Sequence, residues 1–554
     1  MRKFKTLLTV ILISAAAFIL RVIFLNEKVF SSSDETNFLL ASFDLYSIFF
    51  SRNITEAAGT LYRLLNFVWG PIVPIFQVFF LALYGFFNIR LTEFSLTLPF
   101  TIMGTLYVPL VFMLSKYFFN KWAALIAALF TAIIPLFTQT SRYTAATGLM
   151  DGFLLMFLIL FWAEHIFSDD SIRKTKKLLI GALIALNCLT DSQFLGIFIF
   201  LPAFILYRAY IKKEYPLKVF KERVLDKFII LPSVFVLTIL FICWLYPSIK
   251  FGNINTTALG HLFNKSGQFL NIGFHFKNLI RSISLSAGPI ISLLMPLSAI
   301  YGIFLLKRRR KSGIVFFWLI FYSAPLLFLV SVPIDHRDYF HTWLIPLIIL
   351  ASSLISILYE YLSRRLNRTV SILFIFSISV SIFLITFLST LGALFNAGPF
   401  KEPAYYGRVE ENSGIKTAGY YFRDTLSENQ SILSDFGMPI IKYYFNHSPL
   451  GERKFLWTSF SPSLKEKYAH IAEKSLQADI IVLNYENYLR AGQNFSNSGF
   501  YIIGKVFSNQ KPKIIILSRQ KQEYKRMDTE IYDRLFDREF GNWHSLYIPA
   551  YYKY

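Results

Sequence analysis

Long apolar runs separated by short polar or basic stretches fill the first 394 residues, and the pattern changes at Asn396, Gly398 and Pro399. A helix of about 20 apolar residues crosses a hydrocarbon core of about 30 Å. Runs of that kind lie at 6–26, 92–115, 121–138, 149–166, 177–191, 193–210, 228–248, 279–305, 314–333, 340–361 and 369–394, which predicts about eleven spans. A further apolar run, 71–89, follows Trp69 and Gly70 and contains Pro71 and Pro74. Its threading is decided by the basic clusters: Arg2, Lys3 and Lys5; Lys116 and Lys121; Arg173, Lys174, Lys176 and Lys177; the stretch from Lys212 to Lys227; Lys307 to Lys311; and Arg364, Arg365 and Arg368. Basic residues are retained on the cytoplasmic side. All the clusters fall there, together with the N-terminus, only if 71–89 does not cross. That run is therefore expected to lie in or dip into the outer membrane face, and residues 395–554 to be exterior.

The pattern defines residues 1–394 as an all-α polytopic membrane domain with juxtamembrane helices, and 395–554 as an exterior soluble α/β domain. In the latter, β-rich runs at 430–434, 479–484, 500–507 and 513–518 alternate with helical patterns near 411–427 and 463–477. The tail from Arg519 is charged, then aromatic, and ends Tyr551-Tyr552-Lys553-Tyr554, a composition suited to a membrane face. The first run has no small-residue cleavage site and reads as a retained signal anchor whose Arg21 can snorkel. The predicted location is the cell membrane, multi-pass, with a cytoplasmic N-terminus. No inverted repeat of the secondary-transporter kind is visible.

Composition sharpens this picture. Of 554 residues 55% are hydrophobic, 18% aromatic and 16% charged, which excludes a soluble enzyme on a single anchor. The formal charge of +22 would suggest nucleic acid in a soluble protein. Here the basic residues sit between spans and are read as topology signals and contacts to anionic membrane lipids, not as a nucleic-acid surface. The two cysteines, Cys188 and Cys243, both fall in apolar runs, so no disulfide framework or cysteine-based metal site is available.

The chemistry lies in the predicted exterior loops. The first holds Ser31-Ser32-Ser33-Asp34-Glu35 followed by a helical pattern. A serine cap with two acids in the first turn suits a helix start, and a carboxylate beside the first span also suits a base facing a lipid-linked substrate. The second runs from Thr140 through Ser141 and Arg142 to Asp151 at the outer end of a span. Asp151 and Arg142 read either as helix-end and interfacial residues or as site residues, with Asp151 meeting Asp34 to orient an acceptor or hold a divalent cation. The third, Asp335-His336-Arg337-Asp338-Tyr339-Phe340-His341, is a dense charged cluster whose Arg337 fork suits phosphate oxygens. It is also readable as a salt-bridged loop. Further phosphate contacts are available from His261, Lys265, His275, Lys277 and Arg281. No zinc motif and no Gly-rich nucleotide loop occurs, so no nucleotide cofactor is expected.

In this order the motifs resemble those of the GT-C membrane glycosyltransferases, particularly glycosyltransferase family 39, with its protein O-mannosyltransferases and aminoarabinose transferases of lipid A. The resemblance rests on Asp34-Glu35 after one span, Pro71-Ile72-Val73-Pro74 leading to Arg90, and Phe118-Phe119-Asn120-Lys121-Trp122-Ala123-Ala124 with Ile134-Pro135, Ser141-Arg142 and Asp151. The second of these acidic motifs also looks like that of oligosaccharyltransferase catalytic subunits. Arg337-Asp338-Tyr339 before Leu344-Ile345-Pro346-Leu347 completes the set. It covers the first 170 residues well and the rest loosely. One departure is Trp69-Gly70 before the paired prolines, where the family often has Lys or His.

The resemblance implies an inverting transfer of sugar from a polyprenyl-phosphate-linked donor to a hydroxyl or amine of a lipid, glycan or protein acceptor, an EC 2.4 activity. It makes Asp34 the base, Glu35 and Asp151 supporting acids, and Arg337 a donor-phosphate contact, with Arg142, Tyr339 and His336 beside it. A divalent cation on Asp34 and Asp151 is left open. The rival readings are a transporter or lipid flippase and an oligosaccharide ligase on the same scaffold. Transport expects ionisable residues at mid-membrane, and the nearest, Glu164 and Asp191, lie near span ends. A third reading, a scaffold without catalysis, predicts indifference to all these carboxylates.

Overall fold

The structure, a computed structural model, describes residues 2–51, 72–238, 281–320, 340–395, 397, 412–425, 430–445, 455–457, 477–489 and 499–540, except 31, 169–171, 191–193, 282, 309, 366–367 and 437. The chain forms two compact units. The first holds Met1–Ile23, Thr55–Val73 and Leu98–Arg408, and the second Phe24–Ile54, Pro74–Thr97 and Val409–Tyr554.

The first unit is helical. Among the described residues, 6 helices are long and apolar enough to cross a membrane: Phe4–Val22, Glu93–Phe118, Thr147–Phe167, Pro289–Lys307, His341–Arg365 and Thr369–Leu394. The His341–Arg365 helix is central and mostly buried, whereas Thr369–Leu394 is mostly exposed. It packs on Lys121–Ile133, Thr147–Phe167, Pro289–Lys307 and Arg368–Leu394. The outer helices keep large apolar side chains exposed, among them Leu12, Ile19, Leu293, Ile300, Phe376 and Leu388. Such faces are stable against lipid and would be a liability in water.

Local chemistry sets the helix ends. The Asn120 carboxamide caps Lys121–Ile133 by accepting the Ala123 N–H at 2.9 Å. It also reaches Glu360 and Ser356 at 3.0 Å, tying that end to the central helix. The span expected over 121–138 is broken at Ile134, whose ψ of 133° is extended, because Pro135 follows it and begins a separate helix, Pro135–Thr140. The basic clusters gather at one end of the bundle. There Lys311 lies on the Tyr117 ring, Arg208 donates to the Ser168 carbonyl, Lys177 pairs with Asp226, and the His165 ring meets the Arg223 carbonyl. The Ile72–Phe86 helix has 15 residues, a length of about 22 Å that falls short of a hydrocarbon core.

The second unit is a mixed sheet flanked by helices. Strands β1 (Ile432–Ser434), β2 (Phe455–Trp457), β3 (Ile480–Asn484), β4 (Tyr501–Ser508), β5 (Lys511–Ser518) and β6 (Lys525–Asp528) lie in the order β2-β1-β3-β5-β4-β6. β1 is parallel to β2 and β3, β5 is antiparallel to β3 and β4, and β6 is parallel to β4. Alternation along the strands makes two apolar faces. Ile432, Ile480, Val482, Ile514 and Ile516 join one cluster, and Leu433, Ile481, Leu483, Ile515 and Leu517 the other. The β4–β5 hairpin turns on Asn509 and Gln510, both left-handed with φ of 48° and 62°. The first face is covered by Ile415–Thr425, Met438–Phe445 and Thr529–Phe540, and its cluster includes Phe30, Leu39, Phe43, Leu81 and Tyr84 from the first predicted loop and the Ile72–Phe86 helix. The helical pattern expected at 463–477 lies largely outside the described residues, as does the tail beyond 540.

Candidate active site

In the first unit, polar side chains converge where several helices end opposite the basic clusters. Asp151 sits in the first turns of Thr147–Phe167 and is 4% exposed. The Thr190 hydroxyl, just past the end of Lys174–Cys188, reaches Asp151 Oδ1 and, at 2.7 Å, the Asn187 carbonyl. Tyr107 donates to the Leu149 carbonyl at 2.5 Å and packs edge-on to the His341 ring at 5.7 Å. The Thr140 hydroxyl lies 2.8 Å from His341 Nε2 and donates to the Leu136 carbonyl at 2.8 Å. The peptide N–H of Ile72 reaches the Leu189 carbonyl at 3.4 Å, bringing the first turn of that helix beside Thr190.

Two arginines close this end of the bundle. Arg21, placed near one end of its run where it could snorkel, is instead fully buried. Its guanidinium donates to the carbonyls of Ala17 and Ala132 at 3.0 Å and Thr131 at 3.2 Å, a set of acceptors that replaces water for a charge placed inside the bundle. Arg142 Nη1 donates to the carbonyls of Arg21 and Ile23 at 2.9 and 2.5 Å, holding the last turn of the first span. Gly104 allows this approach, because a Cβ there would collide with Ser141. Gly152 has the same role beside Tyr107. Gly152→Ala puts a methyl into the Tyr107 hydroxyl and against His341 Cβ, so a loss of about 1–3 kcal/mol is expected, seen as a lower unfolding midpoint in detergent.

In the second unit, Asp34 and Glu35 open the Ser33–Ser51 helix. The buried Glu35 carboxylate is ion-paired with Lys28, whose ammonium also lies 5.2 Å from the centre of the Phe30 ring. Beside them is a second buried charge cluster. Lys416 pairs with Glu93 at 2.7 Å and Asp537 at 2.5 Å, Tyr444 donates to Glu93 at 2.9 Å, and Thr417 donates to Asp533 at 2.7 Å. Burial opposes the Lys416 charge, but the carboxylates of Glu93, Asp537 and Asp533 overcome it and hold the ammonium above its ordinary range. Burial likewise pushes the Asp533 carboxyl up to about 6, against the pull of Lys416, Thr417 and Asn412.

Of the residues singled out in the sequence, Asp151 and Arg142 thus lie at one end of the bundle, and Asp34 and Glu35 share the start of one helix. His336, Arg337 and Tyr339 lie outside the described residues. Tyr107 and Thr190 were not singled out, and their only sequence signal is a polar group within or next to an apolar run. Among the described residues no three His, Cys, Asp or Glu side chains gather as metal ligands.

Residues 70–251 match the family model described as dolichyl-phosphate-mannose-protein mannosyltransferase, a stretch well short of half the chain. No curated protein matches the chain. Among solved structures, ArnT from Cupriavidus metallidurans bound to undecaprenyl phosphate is 11% identical with a TM-score of 0.55, covering 93% of this chain and 99% of that one. The Archaeoglobus fulgidus oligosaccharyltransferase tethered with an acceptor peptide is 13% identical with a TM-score of 0.55, covering 87% and 69%. The same enzyme in complex with Zn and sulfate is 14% identical with a TM-score of 0.53, covering 88% and 69%. The chain therefore has the fold of the GT-C membrane glycosyltransferases, with a helical multi-pass membrane part and a C-terminal sheet.

Proposed function

We propose that the chain is an inverting glycosyltransferase that takes a sugar from a polyprenyl-phosphate carrier at the outer face of the cell membrane. The acceptor is a hydroxyl or amine of a lipid, glycan or protein. The observation that carries this reading is the fold likeness to ArnT, crystallised with undecaprenyl phosphate, over nearly the full length of both chains. The matched mannosyltransferase model over residues 70–251 points the same way. The basic clusters at one end of the bundle favour a topology of about eleven spans with that end and the N-terminus in the cytoplasm. Asp151, Arg142 and His341 then lie at the exterior end.

In the reaction, the acceptor oxygen attacks the anomeric carbon as its proton passes to the Asp34 carboxylate. The bond from that carbon to the phosphate oxygen breaks, and its electron pair leaves with the polyprenyl phosphate. A single displacement of this kind inverts the anomeric centre. Arg337, with His336 and Tyr339, receives the developing phosphate charge. Asp151, held by Thr190, orients the acceptor. Arg142 serves the phosphate set by fixing the end of the first span. Glu35 supports Asp34 through its pair with Lys28. The Archaeoglobus enzyme crystallised with Zn keeps a divalent cation in view. Among the described residues no three His, Cys, Asp or Glu side chains gather as a ligand set for one.

Purified protein in lipid, offered a panel of polyprenyl-phosphate sugars with and without divalent cation, should release polyprenyl phosphate and give a product of inverted configuration. Oligosaccharide donors belong in the panel because of the likeness to the oligosaccharyltransferase. Movement of intact lipid across the bilayer with no bond broken would replace this reading by the flippase one.

A further inference from the structure

We propose that the Tyr443-Tyr444 pair and the Glu93–Lys416 ion pair form a clamp by which the sheet unit positions the backbone carrying Asp34. The inference rests on the reading of Asp34 given above. Asp34 stands four residues after Phe30 and one after the start of the Ser33–Ser51 helix. The buried Phe30 N–H precedes that helix and needs an acceptor from elsewhere in the chain. The Tyr444 hydroxyl supplies it at 2.8 Å across 414 residues of sequence. The same hydroxyl donates to Glu93 Oε1 at 2.9 Å, so both of its hydrogen-bonding functions are used.

The rest of the clamp holds this hydroxyl in place. Glu93 Oε2 accepts from Lys416 at 2.7 Å, and Lys416 is also paired with Asp537 at 2.5 Å. The neighbouring Tyr443 ring meets Phe30 edge-on at 5.3 Å and stacks near Phe43 at 6.5 Å, touching the chain on both sides of Asp34. The Lys28–Glu35 ion pair spans the same segment. The helix bearing the tyrosines, Met438–Phe445, packs along Ser33–Ser51. Nothing in a bare helix start needs so many long-range fixings. A base does, because a misplacement of about 1 Å costs about a hundredfold in rate. Tyr443, Tyr444, Glu93 and Lys416 are thus positioning residues, acting through Asp34.

The test is Tyr444→Phe in the full chain, which keeps the ring and removes both hydrogen bonds. Two readouts are taken: backbone hydrogen exchange over residues 28–36 and steady-state transfer from a polyprenyl-phosphate sugar. Exchange in that segment should quicken while β3 and β5 keep their protection, and kcat should fall about 10- to 100-fold with donor KM unchanged. Glu93→Asp, which keeps the charge opposite Lys416 and shortens the reach to the Tyr444 hydroxyl, should lie between the wild type and Tyr444→Phe in both readouts, and serves if Tyr444→Phe does not fold. Unchanged exchange over 28–36 overturns the clamp, and so does faster exchange with kcat unchanged. If the wild type transfers no sugar at all, the proposed function fails by itself, and the exchange result still decides whether the clamp exists.

Discussion

Asp34→Asn is expected to lower sugar transfer by about 10²–10⁴-fold, the range for loss of a general base, while donor lipid binds as it does to the wild type. Asn keeps the shape of Asp and cannot take the acceptor proton. An acid in the first turn of a helix contributes about 0.3–1 kcal/mol through the helix dipole. Asp34 is the second residue of Ser33–Ser51 and stands in that first turn. A large loss of turnover in protein with an unchanged unfolding midpoint is therefore chemical. A transporter would keep its activity in Asp34→Ala, and that result would remove Asp34 from the mechanism.

Lys416→Met should be the most destabilising single change outside the membrane part. Removing one partner of a buried ion pair costs about 3–5 kcal/mol, because the other charge is left without compensation. Here the carboxylates left behind are Glu93, 4% exposed, with the Tyr444 hydroxyl as its neighbour, and Asp537. The unfolding midpoint of the full chain in detergent should fall by roughly 6–20 °C for a unit of this size. Adding Glu93→Gln should recover part of the loss, since a neutral carboxamide no longer needs the ammonium. A midpoint unchanged by Lys416→Met would mean that water already reaches this pair.

The strands that bury both faces were legible in the sequence. Ile480 to Leu483 and Ile514 to Leu517 are continuous β-branched and leucine runs, and both form where expected. The missed strands, β2 at Phe455–Trp457 and β6 at Lys525–Asp528, are the edges of the sheet. A strand of three or four residues is defined by the neighbour it pairs with more than by its own side chains. Pro135 was visible, but an apolar run on both sides of it hid the break.

The candidate site was legible by residue type and not by partnership. Asp34, Glu35, Arg142 and Asp151 stand out as charges beside apolar runs. Thr190 beside Asp151 and Tyr107 beside His341 do not, because threonine and tyrosine are common at such positions. Lys416 and Glu93 are 323 residues apart, and no local pattern announces a pair at that distance. For the same reason the composition break after residue 395 marks where the last span ends, while compactness draws Phe24–Ile54 and Pro74–Thr97 into the unit that holds the sheet.

On the proposed reading, this chain breaks the bond between a sugar and a polyprenyl phosphate using Asp34. The most direct measurement is a single-turnover assay with a radiolabelled polyprenyl-phosphate sugar and excess enzyme in lipid, wild type beside Asp34→Asn at equal amounts of folded protein. The wild type should give stoichiometric free polyprenyl phosphate and the variant almost none, with donor bound equally by both. Equal release from the two proteins, or bound donor left intact by the wild type across the whole donor panel, would contradict it.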